Sequence, residues 1–243
     1  MKTKALAWLE ARAGEHQAVC AVFGCGRLTM RAAGIGLAPM HCRHHVDFNS
    51  RHGSLWHASY SAKELRPYLV SAMAYIRPRL QTDQHIKDAV AKLALLLEES
   101  PHEIATRLRG MKSKARAKIA FGRLRKKGVK PERILATHLA ITVLIREEPS
   151  GPRSKEFRFV QVAKALHRLA SGHHVVHEMW VGDRRYKNQL HVYPRSVGSV
   201  LRHMGQAVEE RCEYATAEHA DGVLAWKVRR YGRHPGLPPR SSV

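Results

Sequence analysis

Apolar residues recur at helical spacing along most of this 243-residue chain. In the segments 62–76 and 82–99 they return every three or four positions, which is the pattern of a helix with one buried face. Residues 131–147 are apolar almost all the way round, so that segment predicts the central helix of a core. The same spacing predicts the remaining helices at 3–17, 101–109, 111–127, 157–170 and 196–214. The pattern therefore predicts a mainly α fold with a central helical bundle.

Capping residues indicate where several of these helices start. Ser61 and Glu64 have the spacing of a capping box, in which each side chain accepts a backbone N–H of the first turn. Thr82 is the predicted N-cap of the next helix. Ser100 followed by a proline predicts the start of the helix that Gly110 ends.

The C-terminal third mixes strand and helix signals. Residues 173–181 and 189–193 have strand character, and the charged turn 182–185 between them predicts a hairpin. Residues 223–231 predict a third strand. Together with the neighbouring helices these strands predict an α+β module with a small hairpin, winged-helix-like in outline.

The charge balance indicates a polyanionic partner. The chain carries 42 Lys and Arg residues against 20 Asp and Glu, which is a net charge of +22 at pH 7. Neutralisation of phosphates and release of their counterions drive such proteins onto nucleic acid. The charge is densest in residues 111–150, which carry +8, whereas residues 61–110 carry +2.

Other compartments and partners are not expected. No run of 18 uncharged apolar residues occurs, so the sequence predicts no membrane span and no membrane partner. The N-terminal residues lack the apolar stretch of a signal peptide. Four cysteines, three of them in one cluster, fit metal ligation in a reducing compartment better than a disulfide framework. The sequence therefore predicts a cytoplasmic protein.

The segment 111–127 contains eight Lys and Arg residues and no acid. With the helix 101–109 and the turn at Gly110 it has the outline of a helix-turn-helix, whose second helix contacts nucleic acid. A solvated basic face is the alternative interpretation. The basic residues of this segment and of the hairpin wing are the candidate phosphate contacts. They are Lys112, Lys114, Arg116, Lys118, Arg123, Arg125, Lys126, Lys127, Arg184, Arg185 and Lys187.

Three cysteines and a histidine near the N-terminus have the spacing of metal ligands. Cys20 and Cys25 have four residues between them, Cys42 and His45 have two, and sixteen residues separate the pairs. Two short chelating pairs joined by a loop are typical of a tetrahedral Zn²⁺ site. His44 is the alternative fourth ligand. The competing interpretation is that the cysteines pack as small apolar side chains.

The motif C-x4-C-G-R followed by C-x2-H resembles the small zinc knuckle of phage and mobile-element proteins, which often lies beside HNH nuclease segments. The matching residues are Cys20, Cys25, Gly26, Arg27, Cys42 and His45. The loop between the pairs is longer than in that family, and Phe23 stands where proline is usual. The resemblance covers about a tenth of the chain. It implies a structural Zn²⁺ and an origin in a phage, plasmid or other mobile element.

These features predict four regions, with a boundary in the Pro-, Gly- and Ser-rich segment 149–156. Residues 1–60 form an N-terminal helix and a zinc knuckle, and residues 61–148 a basic helical domain. Residues 157–232 form the α+β module. Residues 233–243 are a disordered tail.

No catalytic set is complete. The histidines and Asn49 that follow Cys42 lie closer together than the catalytic groups of an HNH nuclease, and the paired acids of a two-metal nuclease are missing. The sequence therefore predicts a non-catalytic, zinc-stabilised nucleic-acid-binding protein, with double-stranded DNA favoured over RNA.

Two alternatives remain at this stage. One is a zinc-containing HNH-like nuclease that uses His44, His45 or His52. The other is an RNA-binding subunit of a ribonucleoprotein complex, in which Trp56 and Tyr60 stack on bases. We favour packing of both aromatic rings against the next helix, because aromatic side chains usually supply core area.

Overall fold

The computed structural model describes residues 18–30, 36–102, 108–170, 174–190 and 198–237, and of residues 109, 174–178 and 187–190 the backbone alone. The helices are α1 (Arg43–His52), α2 (Ala62–Ile76), α3 (Gln84–Glu98), α4 (Ser113–Lys126), α5 (Pro131–Glu147), α6 (Lys155–Ala170) and α7 (Gly198–Tyr231). Two 3-10 turns, Arg77–Arg79 and Leu108–Gly110, and one hairpin, β1 (His174–Val181) and β2 (Arg184–Leu190), complete the regular structure of these residues. The predicted mainly α fold with a small hairpin is confirmed.

Two of the predicted helices cannot be compared in full. The helix at 3–17 lies outside the described residues, as does most of the helix at 101–109. In the part that the structure describes, no helix combines the length and the apolar character of a membrane span.

Helix α5 lies at the centre of the core. Every residue from 134 to 145 is buried, because α2, α3, α6 and α7 pack around the helix. An apolar surface on all sides needs neighbours on all sides. The prediction of a central core helix at 131–147 is therefore confirmed.

One apolar cluster extends from Tyr60 to Val223. It contains residues from helices on both sides of 149–156, the segment predicted as a domain boundary. That segment is thus the connection between α5 and α6 within a shared core.

The start of α2 follows the predicted capping box. Ser61 Oγ accepts the Glu64 N–H at 3.2 Å, and Glu64 Oε2 accepts the Ser61 N–H at 2.7 Å. The hydroxyl cap predicted for the next helix is wrong, because Asp83, and not Thr82, caps α3. Ser100 Oγ donates to Leu96 O in the last turn of α3, and most of the helix that Ser100 is predicted to start lies outside the described residues.

A carboxylate explains the correction at the start of α3. Asp83 Oδ1 accepts the Ile86 N–H at 3.0 Å and lies 3.1 Å from Nε2 of His219. Asp83 therefore satisfies one of the orphan N–H groups of α3 and also joins that helix to α7.

Helix α7 is 34 residues long and corrects two predictions. The helix predicted at 196–214 continues to Tyr231, and the strand predicted at 223–231 is wrong. Val223 and Lys227 are buried, whereas residues 225 and 226 are exposed. The stretch thus buries one residue per helical turn and not every second residue.

The hairpin turn is shorter than the predicted 182–185. Gly182, at φ 59°, and Asp183 form it alone. Gly182 has the left-handed conformation that two-residue hairpin turns use to match the twist of the strands. Arg184 and Arg185 therefore belong to β2, which begins earlier than the strand predicted at 189–193.

A buried ion pair joins α5 to α7. Lys227 Nζ lies 2.5 Å from Glu147 Oε2, and both side chains are 4% exposed. The Tyr68 hydroxyl donates to the same oxygen at 2.6 Å, and the His234 N–H donates to the other oxygen at 2.7 Å. The tail predicted to be disordered from residue 233 is therefore held against the body at His234. Residues 238–243 lie outside the described part of the chain.

Candidate metal centre and basic groove

The first two cysteines lie on a tight backbone knuckle. An isolated antiparallel bridge joins Val19 to Leu28. Gly24 and Gly26 have φ angles of 73° and 59°, a conformation that a residue with a Cβ adopts only at a cost. The chain can therefore curl around Cys25 and bring its sulfur back toward the first cysteine.

Helix α1 supplies the second pair of ligands. Cys42 is the N-cap residue of α1, and His45 lies three positions later, in its first turn. Residues three apart on a helix are neighbours on one face, so both side chains point the same way. The Ala21 N–H donates to Met40 O at 2.9 Å, which fixes the start of α1 against the knuckle.

The four predicted ligands lie together. Cys25 Sγ is 3.8 Å from Cys42 Sγ, and His45 Nδ1 is 3.3 Å from Cys20 Sγ and 3.4 Å from Cys42 Sγ. The four ligand atoms all lie within 4.8 Å of one another. In a zinc tetrahedron with ordinary bond lengths the sulfur–sulfur edge is about 3.8 Å and the sulfur–nitrogen edge about 3.5 Å. The Cys3His cluster is therefore close enough to hold a metal ion, and its dimensions are consistent with Zn²⁺.

Backbone N–H groups and burial shift the pKa values of three of these ligands. The His45 N–H faces the Cys42 sulfur and lowers the pKa of that thiol. The Arg27 N–H acts in the same direction on Cys25, but burial and the neighbouring thiols outweigh it and raise the pKa of Cys25. Burial, followed by the proximity of His44 and Arg27, lowers the pKa of His45. Because metals bind thiolates and neutral imidazoles, the pKa shifts of Cys42 and His45 are in the direction that favours metal binding, and a bound cation would favour the thiolate of Cys25.

The neighbouring histidines have other positions. His44 is exposed, and its ring lies edge-on to that of His45 with the centroids 5.2 Å apart. His41 is buried, and its Nδ1 lies 3.1 Å from Leu37 O, which ties the loop to the start of α1. The structure therefore places His45, the ligand with the predicted spacing, in the cluster.

The Cys3His module, residues 18–30 and 36–52, is bound to the helical body through the end of α1. Arg202 of α7 donates to the carbonyl oxygens of Asn49 and Ser50 at 3.1 Å and 3.4 Å. The same guanidinium pairs with Glu156 of α6, whose carboxylate also lies 3.4 Å from Asn49 Nδ2. One arginine thus joins the module to two helices of the body.

Two residues of the alternative nuclease site take part in this packing. His52 Nδ1 accepts the Ser59 N–H at 2.9 Å and lies 3.5 Å from Lys164 Nζ. Burial, followed by the charge of Lys164, lowers the pKa of His52 to about 4. The Nδ1 lone pair is thus already used, and Asn49 is engaged by Glu156. Neither group forms a base with an orienting partner beside the metal cluster.

The two aromatic residues after α1 differ in their surroundings. Tyr60 is buried, its hydroxyl donates to Glu148, and its ring lies edge-on to that of Phe157 at 5.7 Å. Trp56 is 59% exposed. The favoured packing interpretation therefore holds for Tyr60, and Trp56 has most of its ring in solvent.

The basic segment forms α4, and its charged residues fall into two groups. Five are exposed and three are half-buried. The exposed residues are Lys112, Lys114, Lys118, Lys126 and Lys127, and the half-buried ones are Arg116, Arg123 and Arg125. Arg125 Nη1 donates to the carbonyls of Leu97 and Glu98 at 2.9 Å and 2.6 Å. Arg125 therefore caps the C-terminal end of α3.

A groove of about 420 Å³ lies between α4 and α7, and we call it the basic groove. Lys114 and Lys118 line it from α4, and His203 and Arg211 line it from α7. Apolar side chains form part of the remaining lining, namely Leu96, Ala117, Phe121 and Ala207. No motif in the sequence marks His203 and Arg211, because only the packing of α7 against α4 brings them to the lysines.

The basic groove begins close to the Cys3His module. His203 directly follows Arg202, the residue that binds the end of α1. Ser113 Oγ lies 2.7 Å from Ser199 Oγ, so the first turns of α4 and α7 are in contact. The end of α1 and the start of α4, which are far apart in sequence, therefore both contact the first turns of α7.

The hairpin carries the remaining predicted contacts. Arg184 and Arg185 are exposed near its tip, and the side chain of Lys187 lies outside the described part. Among the described residues no helix packs extensively against β1 or β2.

Comparison with protein-family models, with curated proteins and with solved structures finds no match. The function is therefore inferred from the geometry of the Cys3His cluster, the basic groove and the hairpin.

Proposed function

We propose that this protein binds nucleic acid, with double-stranded DNA favoured over RNA, and that its Cys3His cluster holds a structural Zn²⁺. The basic groove carries this proposal, because it adds His203 and Arg211 to Lys114 and Lys118 on one surface. The net charge of +22 supplies the long-range attraction to a polyanion.

The groove has the chemistry of a phosphate site. Lys114 and Lys118 are exposed, so their ammonium groups can reach a phosphate from one side. Arg211 is half-buried, and its Nη1 donates to Ala207 O at 2.8 Å, which fixes the guanidinium on the other side. Among the lining residues the acid is Glu210, which accepts a hydrogen bond from Gln206 at 3.0 Å. The cations outnumber it, and the apolar lining strengthens their attraction for an anion.

A structural role for Zn²⁺ follows from the ligand set. Three thiolates and one imidazole occupy all four positions of a tetrahedron, so no position is left for water or substrate. The apolar core of the described residues begins at Tyr60, and the module contributes Cys20 and Cys42 as its buried apolar residues. A metal would therefore replace the core that the module does not build. The resemblance to the mobile-element zinc knuckle supports this role, and we include a phage, plasmid or other mobile element as the source.

Binding measured over a range of salt concentrations tests the proposal. Fluorescence anisotropy with a duplex of about 30 base pairs should give an affinity that falls steeply and linearly on a log–log plot against salt. A single-stranded RNA of equal length, at matched salt, should bind more weakly. An affinity for DNA that is undetectable or independent of salt would refute the proposal, and tighter binding of the RNA would reverse the preference for DNA.

A matched pair of variants locates the site. Lys114→Ala/Lys118→Ala should weaken binding to every duplex sequence and reduce the salt slope by about 2. Lys63→Ala/Arg66→Ala removes the same charge from exposed positions on α2 and should leave the slope nearly unchanged. Equal effects of the two pairs would show that the groove is not the binding site.

A further inference from the structure

The hairpin of β1 and β2 exposes large side chains near its tip. Met179, Trp180, Val181 and Tyr186 are all at least half exposed, and Trp180 is 65% exposed. A two-stranded ribbon without a supporting layer is only marginally stable in water. Large apolar groups in such a position mark a surface that a partner completes.

The strand register places each aromatic ring beside an arginine. Trp180 lies opposite Arg185, and Met179 lies opposite Tyr186. Opposite residues share a face, and so do residues two apart along a strand. One face of the hairpin therefore carries Trp180 with Arg185, and the other carries Tyr186 with Arg184.

This pairing matches the chemistry of a nucleotide. An aromatic ring stacks on the face of a base, and a guanidinium binds the adjoining phosphate. The tip of the hairpin also carries the positive charge that attracts a phosphate, since Arg184 and Arg185 outnumber Asp183 in a chain of net charge +22. An apolar protein partner would leave the two arginines without a counter-charge, and an acidic protein partner would leave the exposed aromatic rings without a stacking partner.

We propose that the hairpin stacks on unpaired bases, so that the preferred DNA contains a single-stranded stretch beside a duplex. The inference rests on the proposed function, in which the basic groove holds the duplex phosphates. In an intact duplex both faces of a base are covered by its neighbours, so a side chain reaches a base face only where the stack is interrupted.

Anisotropy with two DNAs tests the inference. One is an intact duplex of about 30 base pairs, and the other is the same duplex with a gap of about six nucleotides in one strand. The wild type should bind the gapped DNA roughly ten-fold more tightly. Trp180→Ala should abolish most of this preference and leave the affinity for intact duplex unchanged. Trp180→Phe keeps an aromatic face and should retain the preference.

Trp56→Ala is the matched control, because Trp56 is an exposed tryptophan outside the hairpin. It should leave the preference intact. Equal binding of both DNAs by the wild type, or loss of the preference in Trp56→Ala and not in Trp180→Ala, overturns the hairpin inference while duplex binding stands. Absence of binding to either DNA overturns the proposed function, and the inference with it.

Discussion

The Cys3His module and the helical body reach a fixed shape by different means. In the module, Cys20 and Cys42 are the buried apolar side chains, and its backbone is held by the knuckle and by the start of α1. In the body, one apolar cluster extends from Tyr60 to Val223 and surrounds α5. The module depends on the four side chains of the Cys3His cluster, and the body depends on the burial of many apolar side chains.

The Cys3His cluster, which the sequence marks most clearly, is therefore a different site from the basic groove, the proposed binding surface. The metal ligands are local in sequence, and their spacing alone identifies them. The basic groove depends on α4 and α7 coming together, and Arg202 is the link between the two regions. We infer that a metal held by the Cys3His cluster would stabilise the module, which Arg202 joins to the start of α7, and would take no part in phosphate contact.

Removing the metal should give the largest effect and should act on the module alone. A chelator would take away binding energy that equals the folding energy of such a module, about 10 kcal/mol. Hydrogen exchange should show fast exchange of the amides in residues 20–30 and 42–52, with those of α5 still protected. Loss of protection throughout the chain would show instead that the two regions unfold as one unit.

Breaking the buried ion pair should destabilise the body next most strongly. Lys227→Met leaves Glu147 buried without its cation and should cost about 3–5 kcal/mol in denaturant unfolding. Arg146→Ala is the control, because Arg146 pairs with Asp221 at side-chain exposures of 48% and 76%, and such pairs contribute about 0–1 kcal/mol. Equal losses in the two variants would contradict the burial argument.

Acid should destabilise the body through His167. Its Nε2 is buried and has no hydrogen-bond partner among the described residues, and burial, with Arg123 adding to it, lowers the pKa of His167 to about 4. An unfolded histidine has a pKa of about 6.5, so between these values the unfolded chain binds a proton that the folded one does not. The neutral, buried His167 therefore contributes to the free energy of unfolding in full above a pH of about 6.5. This contribution of about 3 kcal/mol is lost as the pH falls toward about 4.

His167→Leu should remove that share of the pH dependence, as measured by denaturant unfolding at a series of pH values. His85→Ala, at an exposed position on α3, should keep it. If both variants follow the wild-type curve, the buried imidazole does not set the acid limit.

The smallest effect separates two adjacent basic residues of α4. Arg125→Ala removes the cap on α3 and should cost about 1 kcal/mol of stability. Lys126→Ala, at an exposed position, should leave the stability nearly unchanged. Thermal unfolding of both variants measures the difference, and a larger loss for Lys126→Ala would show that the capping contact is not the relevant one.

The sequence predicts those features that depend on residues close together in the chain. The capping box of Ser61 and Glu64, the all-round apolar helix α5 and the four metal ligands all depend on short spacings. Each of them is found where the sequence placed it.

Features that depend on a distant partner could not be predicted in this way. The strand prediction at 223–231 is wrong because the sequence does not show that Lys227 is buried and paired with Glu147. Asp83, and not Thr82, caps α3, and the sequence does not show that Asp83 also contacts His219 of α7. The groove residues His203 and Arg211 carry no motif, and the packing of α7 on α4 alone brings them to the lysines.

Elemental analysis of the purified protein tests the account most directly. The wild type should contain one equivalent of zinc, and Cys42→Ser should contain none. Cys212→Ala changes a buried cysteine of α7 outside the cluster and should keep the metal. A wild type free of zinc, or a full equivalent of metal in Cys42→Ser, would contradict the claim that these four side chains hold the module together through Zn²⁺.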